Sequence, residues 1–439
     1  MFNLQIHRFG PIIDADISIR RLEILIGPQS SGKSTIAKLV YFFLHIRDEV
    51  TAFILEPPKS NDSRAIDNAL QKRLRNRFLE FFGPTPQPAD VKIRFTYCES
   101  HYLEITLDKK QHKYLSLIFS PNIWSRILTV LSESKEAQKS IPKHHGFISS
   151  LERIVSDQER VTISEKVRDQ CNNIFRFDKD LFFIPAGRSL LSTLSDQIQY
   201  IHPHQLDFPM RRFVEAVNST KAFFDKSLDD LILERQALST ERLFFSAIRK
   251  AQGHVKRILR GEYRYDKEGG KILVSSGIYT KLSFASSGQQ EVVWILLSLF
   301  FLVLEKSKAL VFVEEPEAHL FPNAQKEIMD FIAFVFNELN CDFFITTHSP
   351  YILSSINNLL YAYELGHEKK SGDVRHVVPD EQWLKQTEVG GYFVNDGNAI
   401  NLLNEEMSVL RTELLDQASV KINAQYEELL EIERGLYGN

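Results

Sequence analysis

Cysteine is scarce. The three cysteines in 439 residues, Cys98, Cys171 and Cys341, stand too far apart for a zinc site or a disulfide framework. A reducing cytoplasm is the compartment they suit. Excess positive charge is missing too: 53 basic against 57 acidic residues leave a net of −4. No overall field therefore draws the molecule to nucleic acid, although a local patch still could. Long apolar runs are absent. The longest, residues 292–304, makes a helix of ~20 Å against the ~30 Å of a hydrocarbon core, so a buried core helix is expected and a one-chain transporter is excluded. The start, MFNLQIHRFGPII, has neither the basic residues nor the apolar stretch of a signal peptide. No fixed-period repeat or low-complexity tract appears, and sustained heptads are lacking.

What is there is strand–helix alternation. Residues 4–6 and Ile12–Ile19 alternate apolar and polar like paired strands, and the apolar run Leu22–Ile26 predicts a buried strand ending at Gly27. A helix over 34–44 follows, then three antiparallel strands over 91–97, 102–107 and 114–119. Polar helical sequence fills 121–177, and 181–184 is a short strand stopped by Pro185. A second helical section covers 205–260, with an interruption at Ser239-Thr240, and 264–280 reads as a hairpin around Gly269-Gly270. Alternation then resumes through His348. An acid-rich helical tail over 404–434 would carry Leu410, Leu414 and Leu429 on one side.

Four segments carry chemistry. Gly27-Pro28-Gln29-Ser30-Ser31-Gly32-Lys33-Ser34, followed by Thr35, fits the phosphate loop GxxxxGK[ST]. Glycines let the backbone curl so that N–H groups point at phosphates, and the following helix adds its positive N-terminal end. Lys33 then reaches the β- and γ-phosphates of ATP, and the Ser34 hydroxyl can ligate Mg²⁺. In Leu310-Val311-Phe312-Val313-Glu314-Glu315, a buried strand delivers two carboxylates to its C-terminal end. One suits the Mg²⁺ shell, the next an attacking water. Ser286-Ser287-Gly288-Gln289 opens the apolar helix and suits either an anion or a plain cap. Thr346-Thr347-His348-Ser349 ends another strand; alone, its histidine reads as structural.

In this order the four segments resemble the ABC ATPase cassette, over about residues 1–362. The resemblance implies an α/β head, a mixed sheet plus an antiparallel β subdomain, with a helical insertion. It places Gly27–Thr35 as the Walker A loop and Ser286–Gln289 as the signature reaching a neighbour's γ-phosphate. Glu314 and Glu315 become the Walker B pair, with Glu315 catalytic and Glu314 beside Ser34 on the metal; Ala318-His319-Leu320 becomes the D-loop and His348 the switch histidine. Glu-Glu-Pro-Glu-Ala-His-Leu-Phe-Pro, Thr-Thr-His-Ser-Pro and Phe9-Gly10-Pro11 resemble the non-transporter branch of OLD, RecF and SMC-type ATPases and stand-alone phage-defence ATPases. Ile184-Pro185-Ala186-Gly187-Arg188-Ser189 looks like a segment common in the last group.

Two departures stand out. Glu314 occupies the usual aspartate position, and the Q-loop glutamine has no clear place, Gln197 and Gln199 being the candidates. The expected division is 1–120 for the first part of the head, 121–260 for a mainly helical insertion crossed by a head strand near 181–189, 261–362 for the second part, and 363–439 for a C-terminal extension. That extension holds no Asp-x-Asp pair of the kind a Toprim nuclease needs, and solvated turns are the reading for Asp14-Ala15-Asp16 and Asp178-Lys179-Asp180. The first expectation is therefore the ATPase subunit of a two-component defence complex of the PARIS or Septu type. Such a chain forms ATP-sandwich homo-oligomers, holds a separate nuclease effector, answers a phage-encoded trigger and touches no membrane. The alternative is a RecF- or SMC-like DNA-repair ATPase, for which Arg249, Lys250, Lys256, Arg257, Arg260 and Arg264 offer a phosphate-binding patch.

Overall fold

Alternating burial along Phe2–Phe9 (β1) and Ile12–Ile19 (β2) makes an antiparallel hairpin that turns at Gly10, and Leu22–Ile26 (β3) runs fully buried into the first motif. The computed structural model describes residues 2–437 apart from 59, 61, 85–87, 89, 108–114, 141–149, 194–204, 239–241, 276, 369–370, 405 and 413–416. After β3 come helices Lys33–Leu55 (α1) and Ser63–Phe82 (α2), then strands Lys92–Cys98 (β4), His101–Leu107 (β5) and Leu115–Phe119 (β6). Pro121–Ser140 (α3), Ser150–Phe175 (α4), Asp180–Ile184 (β7), Ser189–Thr193 (α5), Phe208–Thr220 (α6), Leu228–Leu238 (α7) and Arg242–Leu259 (α8) follow. The hairpin expected over 264–280 gains a third strand: Glu262–Asp266 (β8), Gly269–Ser275 (β9) and Ile278–Lys281 (β10) form a small antiparallel sheet.

Ser287–Glu305 (α9), Ala309–Glu314 (β11), Pro322–Leu339 (α10), Asp342–Thr347 (β12) and Pro350–Glu368 (α11) complete the alternation. Ser371–Val377 (α12), Val389–Asn395 (β13), Asn398–Asn401 (β14), Leu403–Asn404 (β15), Val409–Leu410 (β16) and Gln417–Tyr437 (α13) close the chain. The main sheet has 11 strands in the order β6-β5-β4-β1-β2-β14-β13-β3-β12-β11-β7. Its β13-β3-β12-β11-β7 half is parallel, and the β6-β5-β4-β1-β2 half is antiparallel. The fold is thus the expected α/β head.

Parallel strands buried on both faces need apolar residues at every position. β11 meets this by turning Val311 and Val313 to one core and Leu310 and Phe312 to the other. On the second face Phe312 packs against the rings of Tyr41, Phe183 and Phe344. α9, the apolar helix, lies in the first core, as expected of residues 292–304. The helices of 121–260 are shared out: α4 joins the core of α1, while α8 joins that of α9.

Two readings of the C-terminal segment need correction. Residues 363–439 are not only an extension, because β13 and β14 enter the main sheet between β3 and β2. The acid-rich helix does not begin at 404. Leu410 lies buried in β16, where Asn357 binds both its carbonyl and its N–H at 2.8 Å. Leu414 and the Ser239-Thr240 interruption fall outside the described residues.

Candidate functional site

The phosphate-type loop is shaped by what surrounds its glycines. A Cβ on Gly27 would lie 2.1 Å from the Val394 carbonyl oxygen of β13, and one on Gly32 would lie 2.3 Å from Ile12 Cδ1. Gly32 also takes φ 105 at the cap of α1, in the region that favours glycine. The loop wraps its own lysine: Lys33 Nζ donates to the carbonyls of Gly27 (3.0 Å) and Pro28 (2.8 Å). Ser31 Oγ and His348 Nδ1 each stand 3.4 Å from the same nitrogen. Burial lowers the Lys33 ammonium from its ordinary value to about 8, partly opposed by the charges of Glu315 and Glu317. Ser34 is exposed on the first turn of α1, with Thr35 half-buried beside it.

Parallel pairing of β11 with β12 brings the carboxylates and the histidine to the same sheet edge, where Glu314 is opposite Thr346. Glu314 Oε2 accepts from the Ala186 N–H at 3.1 Å, whereas its Oε1 is buried without a donor. Glu315 adopts φ 46, and its carboxylate lies 3.4 Å from His348 Nε2. His348 therefore bridges Lys33 and Glu315, one ring nitrogen to each. Glu317, to which no role was given from sequence, accepts the backbone N–H of His348 through Oε1 at 2.6 Å. Its other oxygen, like Thr346 Oγ1, is buried without a partner.

Buried oxygens lacking donors at one strand edge fit a cation. Among the described residues no group of three or more His, Cys, Asp or Glu side chains is placed to hold a metal. A cation here would thus take one or two protein oxygens and the rest from water and phosphate, which is the habit of Mg²⁺.

The signature segment stands apart from this cluster. Ser286 caps α9 in a reciprocal box with Gln289, which explains why small polar residues precede the apolar helix. Gly288 packs against the turn after β11, since a Cβ there would meet the His319 carbonyl oxygen at 2.8 Å. Ser286 and Ser287 face solvent. Phe284, two residues before Ser286, and Phe321, just past the turn that Gly288 packs on, are 81% and 74% exposed.

Arg188 is the second residue missed. Its guanidinium is fully buried among Pro185, Glu291, Glu314 and Glu315. The sequence offered the Ile184–Ser189 segment that contains it, just past a strand stop, but no role for the arginine. The candidates Gln197 and Gln199 fall outside the described residues. The basic cluster is largely paired off. Lys250 meets Glu381 (2.9 Å), Lys256 meets Asp229 (2.9 Å), Arg264 meets Glu262 (3.0 Å), and Arg249 and Arg257 lie within 3.8 Å of Asp229 and Glu327. Among the described residues, Arg260 alone of the six has no ion-pair partner.

A parallel sheet edge carrying a lysine-wrapping glycine loop, paired glutamates and a bridging histidine is the arrangement of an ATPase domain. Residues 1–353 match the AAA ATPase domain family, and the chain belongs to it. Similar solved structures include an SMC head bound to the C-winged helix domain of ScpA, 12% identical, covering 92% of this chain and 98% of that one at a TM-score of 0.42. The SMC head domain from Thermotoga maritima is 11% identical over 92% and 98%, TM-score 0.37. An SMC head from Pyrococcus furiosus with an extended coiled coil, bound to the C-terminal domain of ScpA, is 13% identical over 97% and 100%, TM-score 0.38. Comparison with curated proteins gives no match.

Proposed function

We propose that the chain hydrolyses ATP between two copies of itself and serves as the ATPase subunit of a bacterial anti-phage complex, holding a separate nuclease effector. The observation that carries the hydrolytic part is the Lys33–His348–Glu315 chain, with 3.4 Å at each link. Gly27–Thr35 supplies backbone N–H groups to the phosphates, and Lys33 exchanges neutral carbonyl partners for charged oxygens. Ser34 and Glu314 would hold Mg²⁺, whose chemistry here is to neutralise phosphate charge and fix its geometry. Glu315 orients a water and draws off its proton as the water oxygen attacks the γ-phosphorus; the bond to the β–γ bridging oxygen breaks, leaving ADP and phosphate. His348, touching both Lys33 and Glu315, reports whether the γ-phosphate is present. Ser286–Gln289, opening to solvent just after exposed Phe284, caps the phosphate of a second copy.

A partner protein has a landing place in α13. Ile422, Tyr426, Leu429 and Ile432 are each 61–63% exposed on that helix, at spacings that gather them on one side. Internal pairing of the basic cluster weighs against the DNA-repair alternative. The test is protection from phage by cells carrying Lys33→Ala, together with a pull-down of tagged Glu315→Gln protein in ATP. Lost protection and a stoichiometric nuclease-like partner are expected. Retained protection, or nucleic acid recovered with no partner protein, would overturn the proposal.

A further inference from the structure

Arg188 sits just past β7, on the loop between the edge strand and α5. Its Nη1 donates to the carbonyls of Pro185 (2.7 Å) and Glu314 (2.6 Å), and its Nη2 to the carbonyl of Glu315 (2.9 Å). The remaining arm, Nε, donates to the Glu291 carbonyl at 3.2 Å and lies 3.3 Å from the Glu291 carboxylate. That carboxylate, 3% exposed, in turn accepts the N–H groups of Arg188 (3.1 Å) and Ser189 (3.0 Å). Glu291 stands on α9 little more than one turn beyond Ser286. A single buried fork therefore ties the backbone of both Walker B glutamates to the first turns of the signature helix. Ser192 adds a parallel link, donating to the Gln290 carbonyl at 2.8 Å and accepting from Trp294 Nε1 at 2.9 Å.

The backbone it holds is a demanding one. Glu315 takes φ 46, which a side chain as long as glutamate rarely adopts, and Arg188 grips that residue's own carbonyl. Ala186, two residues before Arg188, meanwhile fixes the Glu314 carboxylate through its N–H. A guanidinium is planar with five donors in fixed directions; a lysine ammonium, a point charge, could not reach four carbonyls and a carboxylate at once.

We infer that Arg188 is a positioning residue, which with Glu291 transmits the seating of a second copy's phosphate on Ser286–Gln289 to the Glu315 carboxylate. This rests on the reading of Glu315 as the hydrolytic carboxylate. ATP would bind normally without the fork, because none of its contacts is with Gly27–Thr35, but it would turn over slowly.

The experiment compares Arg188→Lys, Arg188→Met and Glu291→Gln with wild type and with Glu315→Gln. Binding of a fluorescent ATP analogue, kcat, KM and melting temperature are measured on each. All three variants should lose about 10- to 100-fold in kcat with analogue Kd within about twofold of wild type, a split that marks an interaction made only on the way to reaction. Arg188→Lys should fail to restore kcat, and the Arg188→Met/Glu291→Gln double variant should be no slower than the worse single one. Wild-type kcat in Arg188→Lys and Glu291→Gln would overturn the inference. So would parallel loss of affinity, kcat and melting temperature, the pattern of a merely structural bolt. If Arg188→Met does not fold, the other two variants decide. Normal turnover by Glu315→Gln would instead sink the reading of the site itself.

Discussion

Helix α1 carries two groups of charge, and the structure treats them in opposite ways. Midway along it, Glu49 is met by Arg73 (2.6 Å), Arg77 (2.7 Å) and His45 (3.3 Å), while Asp48 is met by Arg47 (2.7 Å) and His45 (3.3 Å). Burial alone would raise the Glu49 carboxyl, but the bonds from His45 and Arg73 and the charge of Arg77 outweigh it and hold it far below the usual range. The same carboxylates outweigh burial at His45 and raise it. At the first turn Lys33 bonds to neutral carbonyls and a hydroxyl with the His348 ring beside it, and burial, only partly opposed by the charges of Glu315 and Glu317, depresses it to about 8. One cluster is complete within the chain; the other is short of an anion. A scaffold satisfies its charges internally, whereas a binding site leaves them for the ligand to satisfy.

The largest effect should come from breaking the complete cluster. Glu49→Ala takes the carboxylate from Arg73 and one of two acidic partners from each of Arg77 and His45, so a loss of about 3 kcal/mol in unfolding free energy is expected, with ATP affinity per folded molecule unchanged. The sign with pH follows from a lowered carboxyl. The contribution of Glu49 is present above the unfolded value of 4.5 and fades as pH falls toward its folded value. Denaturant titrations at neutral and acid pH measure both. An equal loss of ATP affinity would join two clusters held separate here.

Lys33→Ala removes the unsatisfied charge. Calorimetry should show ATP affinity down by about 100-fold, with a melting temperature no lower than wild type, since a buried cation has gone. A milder version needs no mutation. The free protein loses the Lys33 proton as pH rises through about 8, so ATP affinity should fall by about tenfold between pH 8 and 9.5, and Lys33→Arg should flatten that fall. A pH-independent affinity would mean the ammonium is not the group that ATP meets first. The smallest effect is expected at the basic cluster. Arg257→Glu/Arg260→Glu should leave ATP turnover unchanged, with no steeply salt-dependent DNA binding to lose. Strong DNA retention in wild type, abolished by this pair, would revive the repair-type reading.

Legibility followed locality. The Gly27–Ser34 loop, Glu314-Glu315 and His348 each sit where an apolar strand runs into a turn, so a few neighbouring residues suffice to place them at one sheet edge. β13 was missed because its partner in the sheet is β3, at the far end of the chain, and Gly390-Gly391 weakens its strand pattern. Residues 404–410 were misread because leucine spacing suits a helix, while the Asn357 side chain binding Leu410 on both sides selects an extended strand. Arg188 and Glu291 meet across 103 positions, and neither belongs to a motif that announces the other. The basic cluster read as a patch because Asp229, Glu327 and Glu381, which neutralise much of it, lie on other elements.

The most direct test of the site is ATP turnover and ATP binding measured on the same sample of Glu315→Gln. An amide is a far poorer base, so kcat should fall by about 10²- to 10⁴-fold while ATP still binds, and the ATP-bound protein should accumulate as a dimer in sedimentation. Turnover at the wild-type rate would mean that the carboxylate beside His348 is not the one that activates water.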